Sequence, residues 1–449
     1  MKQTHTKDMT SGPIAKQILM FAIPLMLGNV FQMLYNTVDS VVVGKFVGTQ
    51  ALAAIGNTTL ITNMAVFFFN GFAIGAGVVV GRLFGARETD RLHTAVETII
   101  TVTFILAAAF TVIGYYGQDF LLHVMNTPAD VFPQASTYLK IYFLGVSGLL
   151  VYNIGAGILQ AVGDSTRPLY FLILTSLLNI VLDLVFVLVF HMGIGGAAWA
   201  TIISQFISAI LVMFLLVHTD DIYQFVWHDM CIDKELLGQI LAIGLPAAIQ
   251  SSITAFSNIF VQSYVNYFGS VVMAGWAAYN KLNQFVMLPM QTMAMAATTF
   301  VSQNMGAQNY KRANQGTRTS LIFTEGITFT IVTTVVLLSR QAAGLFTNDS
   351  QVVDIASIFI RQNMYFLLFN CINHVLAGAL RGRGDSRGPM IIMLISFVAI
   401  RQVYLFIMSR FISNTPQTIS FGYPVGWLCC AVIELTYYFL KWNRKEKTG

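Results

Sequence analysis

The chain has 449 residues, of which 56% are hydrophobic, 13% aromatic and only 10% charged, with a formal net charge of +5. A mean hydropathy of +0.68 lies outside the range of water-soluble globular chains and marks an integral membrane protein. The surplus positive charge gathers between the apolar runs, so it reports orientation, and nothing in its distribution points to a nucleic-acid partner.

The polar head MKQTHTKDMTSGPIAKQ lacks the short apolar core and small-residue cleavage site of a secretory signal, so the first helix is expected to be retained. Twelve apolar runs follow, near 16–42, 50–80, 94–116, 137–160, 168–190, 195–217, 237–265, 271–300, 319–339, 356–380, 389–409 and 421–440. Each is long enough to cross a hydrocarbon layer of about 30 Å as a helix. No strand-type alternation competes with that reading, which excludes a barrel. With the N-terminus cytoplasmic, eighteen lysines and arginines fall on the cytoplasmic side, among them Lys2, Lys7, Lys16, Arg82, Arg87, Arg91, Arg381, Arg383, Arg387, Lys441, Arg444, Lys445 and Lys447. The opposite loops hold three, Lys45, Arg340 and Arg410. The bias places both termini in the cytoplasm and the chain in the cell membrane. Cys231, Cys371, Cys429 and Cys430 show no metal spacing.

The chain repeats itself. AGILQAVGDSTRP at 156–168 and AGALRGRGDSRGP at 377–389 share seven of thirteen positions at an offset of 221, and Pro24 pairs with Pro246 at 222. The expected architecture is all-α: two six-helix lobes, 1–217 and 237–449, related by a pseudo-two-fold axis along the membrane normal. The cytoplasmic linker 218–236 joins them. Each GDS loop reads as a turn that caps the following helix, at Pro168 and at Pro389.

In the first helix Asn29, Gln32, Asn36 and Asp39 are spaced three, four and three apart, so they share one face. A carboxylate deep in a bilayer costs about 2.5–3.5 kcal/mol on insertion scales, and that face must look toward a wet or protein interior. In the second copy the stripe becomes Ser251, Thr254, Asn258 and Val261, and the carboxylate alone is missing. Helix five adds Asn179 and Asp183, one turn apart, with Ile400 and Tyr404 at the 221 offset. At about 1.5 Å per residue both acids fall in the outer half of the membrane. Two carboxylates in such a place require that at least one hold a proton, or that both share a cation such as Na⁺.

At these residues the chain resembles the multidrug and toxic compound extrusion (MATE) family. The resemblance rests on IPLMLGNVFQMLYNTVDSVVVGKFVGTQALAAIG at 23–56, GRLFGARETDR at 81–91, QAVGDSTRP at 160–168 and their second-half echoes. It implies a twelve-helix antiporter that expels bulky, often cationic or amphipathic compounds in exchange for H⁺ or Na⁺. Carried over by motif, the cation site would comprise Asp39, Asn179 and Asp183, with Thr201, Asn36 and Asn153 completing it. Some members place acidic coupling residues in helices seven and ten. Here those helices offer Gln250, Asn370, Asn373 and His374, with no carboxylate, which favours coupling through the first half.

Gln32, Asn258 and Lys281, with Met287, Met290 and Met293 around Pro289, are candidates to line a substrate cavity, since methionine repacks around different ligands. Arg401 is placed to pair with Glu434 or to snorkel outward, and Glu325 is a third charge within a helix. Pro24 and Pro289 are candidate bends. No HExxH, GxSxG or DDxxD motif supports an enzyme. The remaining alternative is a lipid-linked oligosaccharide flippase of the same wider superfamily. No cofactor is expected beyond the coupling ion; the expected partners are small amphipathic or cationic drugs and membrane lipid, with the chain a monomer.

Overall fold

The computed structural model describes residues 6–125 and 127–443; Lys2, Arg444, Lys445 and Lys447 lie outside them. Among the described residues the structure is helical, with twelve helices long and apolar enough to cross a membrane. They are α1 (Ile14–Phe46), α2 (Thr49–Ala86), α3 (Thr89–Val124), α4 (Phe132–Ala161), α5 (Thr166–Val189), α6 (Gly193–His218), α7 (Lys234–Asn266), α8 (Ser270–Gly306), α9 (Tyr310–Leu337), α10 (Ser350–Gly382), α11 (Arg387–Ile412) and α12 (Pro416–Trp442). Every apolar run of the sequence falls on one of them, most extended at both ends, although the runs 168–190 and 319–339 end in helices that stop at Val189 and Leu337. Pro24 and Pro289 sit inside continuous helices.

Several helix starts are fixed by side chains. Asp164, 1% exposed, accepts from the N–H groups of Thr166 (3.0 Å) and Arg167 (3.1 Å) and pairs with the Arg167 guanidinium, which in turn donates to the Tyr223 hydroxyl at 2.8 Å. Asp385 repeats the device ahead of α11: it accepts from Gly388 N–H (3.0 Å), Tyr437 (2.6 Å) and Lys441 (2.7 Å). The two GDS loops are thus capping clamps at helix N-termini.

Contacts divide the chain into two compact units. The first holds Ile23–Ala248 with the described residues up to Asp8; the second holds Met9–Ala22 and residues from Ile249 on. The 218–236 segment belongs to the first. Its Tyr223 and Phe225 are fully buried, Val226 N–H donates to the buried Glu97 carboxylate at 2.7 Å, and Asp233 N–H donates to Thr98 at 3.0 Å. Where the beginning of α7 crosses α2, a Cβ on Gly75 would lie 2.3 Å from the Ile240 carbonyl oxygen, so only glycine permits that approach. The core of the first unit is built from α2, α3, α4 and α6 around Phe69, Phe72, Val96, Leu139, Leu150 and Ile158. That of the second centres on Trp276, Tyr279, Phe359, Leu367 and Trp427.

Candidate functional site

Inside the first unit α1, α4, α5 and α6 enclose a cavity of about 40 Å³. One water needs roughly 10–15 Å³ by such a measure, so the space suits a few waters or a small ion. Gln32 (α1), Asn153 (α4), Asn179 (α5) and Thr201 (α6) line it, so that Gln32, expected in the substrate cavity, stands with residues expected at the cation site; Tyr35, Ser176, Ser204 and Gln205 line it as well. Asp39 and Asp183 stand one helical turn beyond Tyr35 and Asn179, further along helices that run in the same direction. The two acids lie within electrostatic range of each other and of Tyr35 and Tyr138.

The polar atoms here are short of partners. Both oxygens of Asp183, both polar side-chain atoms of Asn179, Oδ1 of Asp39 and the hydroxyls of Ser176 and Ser204 are buried without a hydrogen bond. Asp183 is 0% exposed and Asn179 2%. Buried polar groups are ordinarily satisfied, and a concentration of unpaired oxygens around one small cavity is the mark of a site that takes a proton, an ion or water. The remaining members spend their donors locally: Thr201 Oγ1 on the Ala197 carbonyl (3.0 Å) and Asn153 Nδ2 on that of Leu149 (2.8 Å), which leaves oxygen lone pairs for a guest. Carboxylate, amide and hydroxyl oxygens are hard ligands that fit Na⁺ or a proton. Among the described residues no group of three or more His, Cys, Asp or Glu is arranged to hold a metal ion.

Asn36 departs from this picture. It is exposed and does not line the cavity, and its carbonyl accepts the Ser40 hydroxyl at 2.9 Å. Tyr35 and Tyr138 escaped the sequence reading because an aromatic on an apolar helix carries no signal of its own.

Two segments, 24–185 and 246–407, match the MatE family model, one in each half. The chain belongs to the MatE family. It is 26% identical to the probable multidrug resistance protein YoeA of Bacillus subtilis over 99% of this chain and 97% of that one. Against the multidrug export protein MepA of Staphylococcus aureus it is 23% identical, over 98% and 97%. Its fold matches an outward-facing multidrug resistance MATE transporter with a TM-score of 0.93 at 22% identity, covering all of both chains. It also matches a MATE in the straight conformation, with a TM-score of 0.93 at 23% identity over 99% of this chain and 100% of that one.

The MatE matches bear on the register of the repeat. They begin 222 residues apart and end 222 apart, whereas the GDS loops are 221 apart. The additional residue is accommodated in α11, whose residues Leu394–Ile400 form a π-helical turn, the ordinary trace of a one-residue insertion. At the 221 offset of the GDS loops Ile400 and Tyr404 stand opposite Asn179 and Asp183; at the 222 offset of the matched segments Arg401 and Leu405 do. Burial agrees: Arg401 is 1% and Leu405 0% exposed, while Ile400 and Tyr404 are half-buried.

In the second unit of this MatE protein Arg401 does not pair with Glu434. Its Nη1 donates to Ser257 (3.3 Å) and Asn258 (3.2 Å), while Glu434 is buried without a hydrogen bond and has Arg381 as its electrostatic partner. Asn258 is therefore committed to Arg401. Met290 is 0% and Met293 3% exposed, and the partly exposed Met287 packs against the same core as Met290. Lys281 extends to the Phe346 ring, 5.9 Å from its centroid, where it makes a cation–π contact.

Proposed function

We propose that this protein is a cation-coupled efflux antiporter of the cell membrane, with both termini cytoplasmic, in which Asp39 and Asp183 take up and release the driving H⁺ or Na⁺. The observation that carries this reading is the placing of two carboxylates from different helices within electrostatic range of one another, beside a cavity whose oxygens lack partners. Intramembrane acids are functional by default, and a pair in a poorly solvated interior cannot stay doubly charged without a cation. Asn179, Thr201 and Asn153 supply neutral oxygens that complete the site. A bound cation neutralises the pair; its release restores the charge. Because the two states differ by a charge in a weakly polar interior, each favours a different conformation, and the difference drives exchange.

The cargo is the bulky amphipathic or cationic compound that the names of the bacterial relatives suggest, and the protein moves it as a monomer by binding and release. The cavity of the first unit, about 40 Å³, is small for such a molecule, which supports reading it as the ion site. The test is transport of an ethidium-like dye in proteoliposomes, with the Na⁺ gradient and the pH gradient imposed separately. Wild-type protein should respond to at least one. Unchanged exchange in Asp39→Asn and Asp183→Asn, at equal protein content, would sink the assignment.

A further inference from the structure

At the 222 offset the second unit is more than a worn copy of the first. Tyr35, Asn36, Asp39, Asn179 and Asp183 correspond to Ser257, Asn258, Val261, Arg401 and Leu405. Both acids have become apolar, and the buried amide between them has become a guanidinium. Arg401 is 1% exposed, and among the described residues no carboxylate lies within ion-pair distance of it. Neutral groups hold it instead: Oγ of Ser257, Oδ1 of Asn258, and the rings of Phe397 and Tyr423, whose centroids are each 4.6 Å from the guanidinium carbon.

An unpaired cation in the interior of a membrane helix bundle is costly and calls for a role. A site for an anionic guest is one candidate, and the packing argues against it. A Cβ added to Gly426 would lie 3.0 Å from Nε and 3.1 Å from Nη2, so α12 lies close against that edge of the guanidinium, where Nε is buried without a hydrogen-bond partner. The group is enclosed as a bound ion is enclosed, by oxygens on one side and aromatic faces on the others.

We propose that Arg401 is the resident cation of the second unit: it permanently carries, by covalent attachment, a positive charge at the position that corresponds to Asn179 in the ion site of the first. The second unit is thereby fixed in the cation-loaded arrangement, with α7 tied to α11 through Ser257 and Asn258. A mobile cation that approached these oxygens would meet a fixed like charge in a weakly polar interior and be excluded. Ion coupling is confined to one site per chain. The inference rests on the coupling role proposed for Asp39 and Asp183.

The first arm of the test counts cations on purified protein in detergent, with radioactive Na⁺ and, separately, as the protons that wild type releases on acid and base steps in excess of an Asp39→Asn, Asp183→Asn double variant. Wild type should bind in one saturable class, and the Asp39→Asn, Asp183→Asn double variant should show none. Saturable binding that survives in the double variant overturns the proposal. Absence of binding in wild type overturns the coupling role of the first unit instead, and the second arm then decides on Arg401 by itself. There Arg401→Ala is unfolded thermally with methylguanidinium or with the neutral N-methylurea. Recovery of the melting temperature with the cation alone supports the proposal; equal recovery with both, or with neither, overturns it. Should Arg401→Ala fail to fold, Arg401→Lys and Arg401→Met are compared in dye export. Lys keeps the charge and should retain transport, whereas Met keeps only the length and should lose it; the opposite order overturns the proposal.

Discussion

Asp183 has no hydrogen-bond partner for either carboxylate oxygen, and the charged group that bears on it comes from another helix, Asp39 of α1. The fold therefore does not use Asp183 to stabilise itself. Asp183→Asn should leave expression and melting temperature within experimental scatter of wild type, because no interaction made in the structure is removed. Ion-driven dye export should nevertheless fall roughly a hundredfold, the usual scale for deleting a group that handles a proton or cation. A parallel loss of stability and transport would reassign the residue to packing.

The clamp before α11 predicts a pH dependence. Burial pulls the Asp385 carboxyl upward, but the Lys441 ammonium, the Tyr437 hydroxyl and the Gly388 N–H outweigh it and hold the group below the ordinary carboxylate value. A carboxyl depressed in the folded state contributes stability above its unfolded value, about pH 4, and that contribution is lost as the pH falls through the folded value. Wild type should accordingly melt above Asp385→Asn at pH 7, and the gap should narrow as the sample is acidified below pH 4. A gap that widens in acid would contradict the clamp.

Glu97 anchors the segment between α6 and α7. Its Oε1 accepts Val226 N–H at 2.7 Å from a position that is 0% exposed. Glu97→Ala leaves that N–H unsatisfied at a cost of about 1–3 kcal/mol. Trypsin should then cut at Lys234 faster than in wild type, read as a split into two halves on a gel, while ion dependence of transport is unchanged.

Gly75 and Gly326 offer a matched pair of helix glycines. A methyl on Gly75 meets the Ile240 carbonyl at 2.3 Å, whereas one on Gly326 meets nothing within 4 Å. Gly75→Ala should destabilise by about 1–3 kcal/mol through overpacking. Gly326→Ala should be neutral or stabilise by about 0.5–1 kcal/mol through reduced backbone freedom. Thermal unfolding in detergent separates the two.

The sequence makes the spanning helices and the acids legible for the same reason. In lipid a polar or charged residue is expensive, so an ionisable group inside an apolar run stands out, and Asp39 and Asp183 could be named before any coordinates existed. The failures occur where helical spacing leaves a choice. Methionines three apart share a face, but spacing does not say whether that face meets a cavity or another helix; for Met290 and Met293 it meets the interior. Asn36 shares a stripe with Gln32, yet the breadth of a polar stripe exceeds that of the cavity it borders. Arg401 was read against Glu434 because opposite charges on neighbouring helices attract in the abstract. Cation–π contacts and neutral oxygens supply its environment instead, and they depend on a register that constant-offset comparison cannot follow.

The π-helical turn of α11 between Leu394 and Ile400 takes up one residue more than an α-helical turn does, so the side chains beyond it keep their facing while the count along the chain shifts by one. Duplication yields two identical halves, and identity is an obstacle to dividing labour between them. A widened turn of this kind lets one half differ in length from the other without turning its buried face to lipid, and asymmetry of charge can then evolve on a symmetric frame.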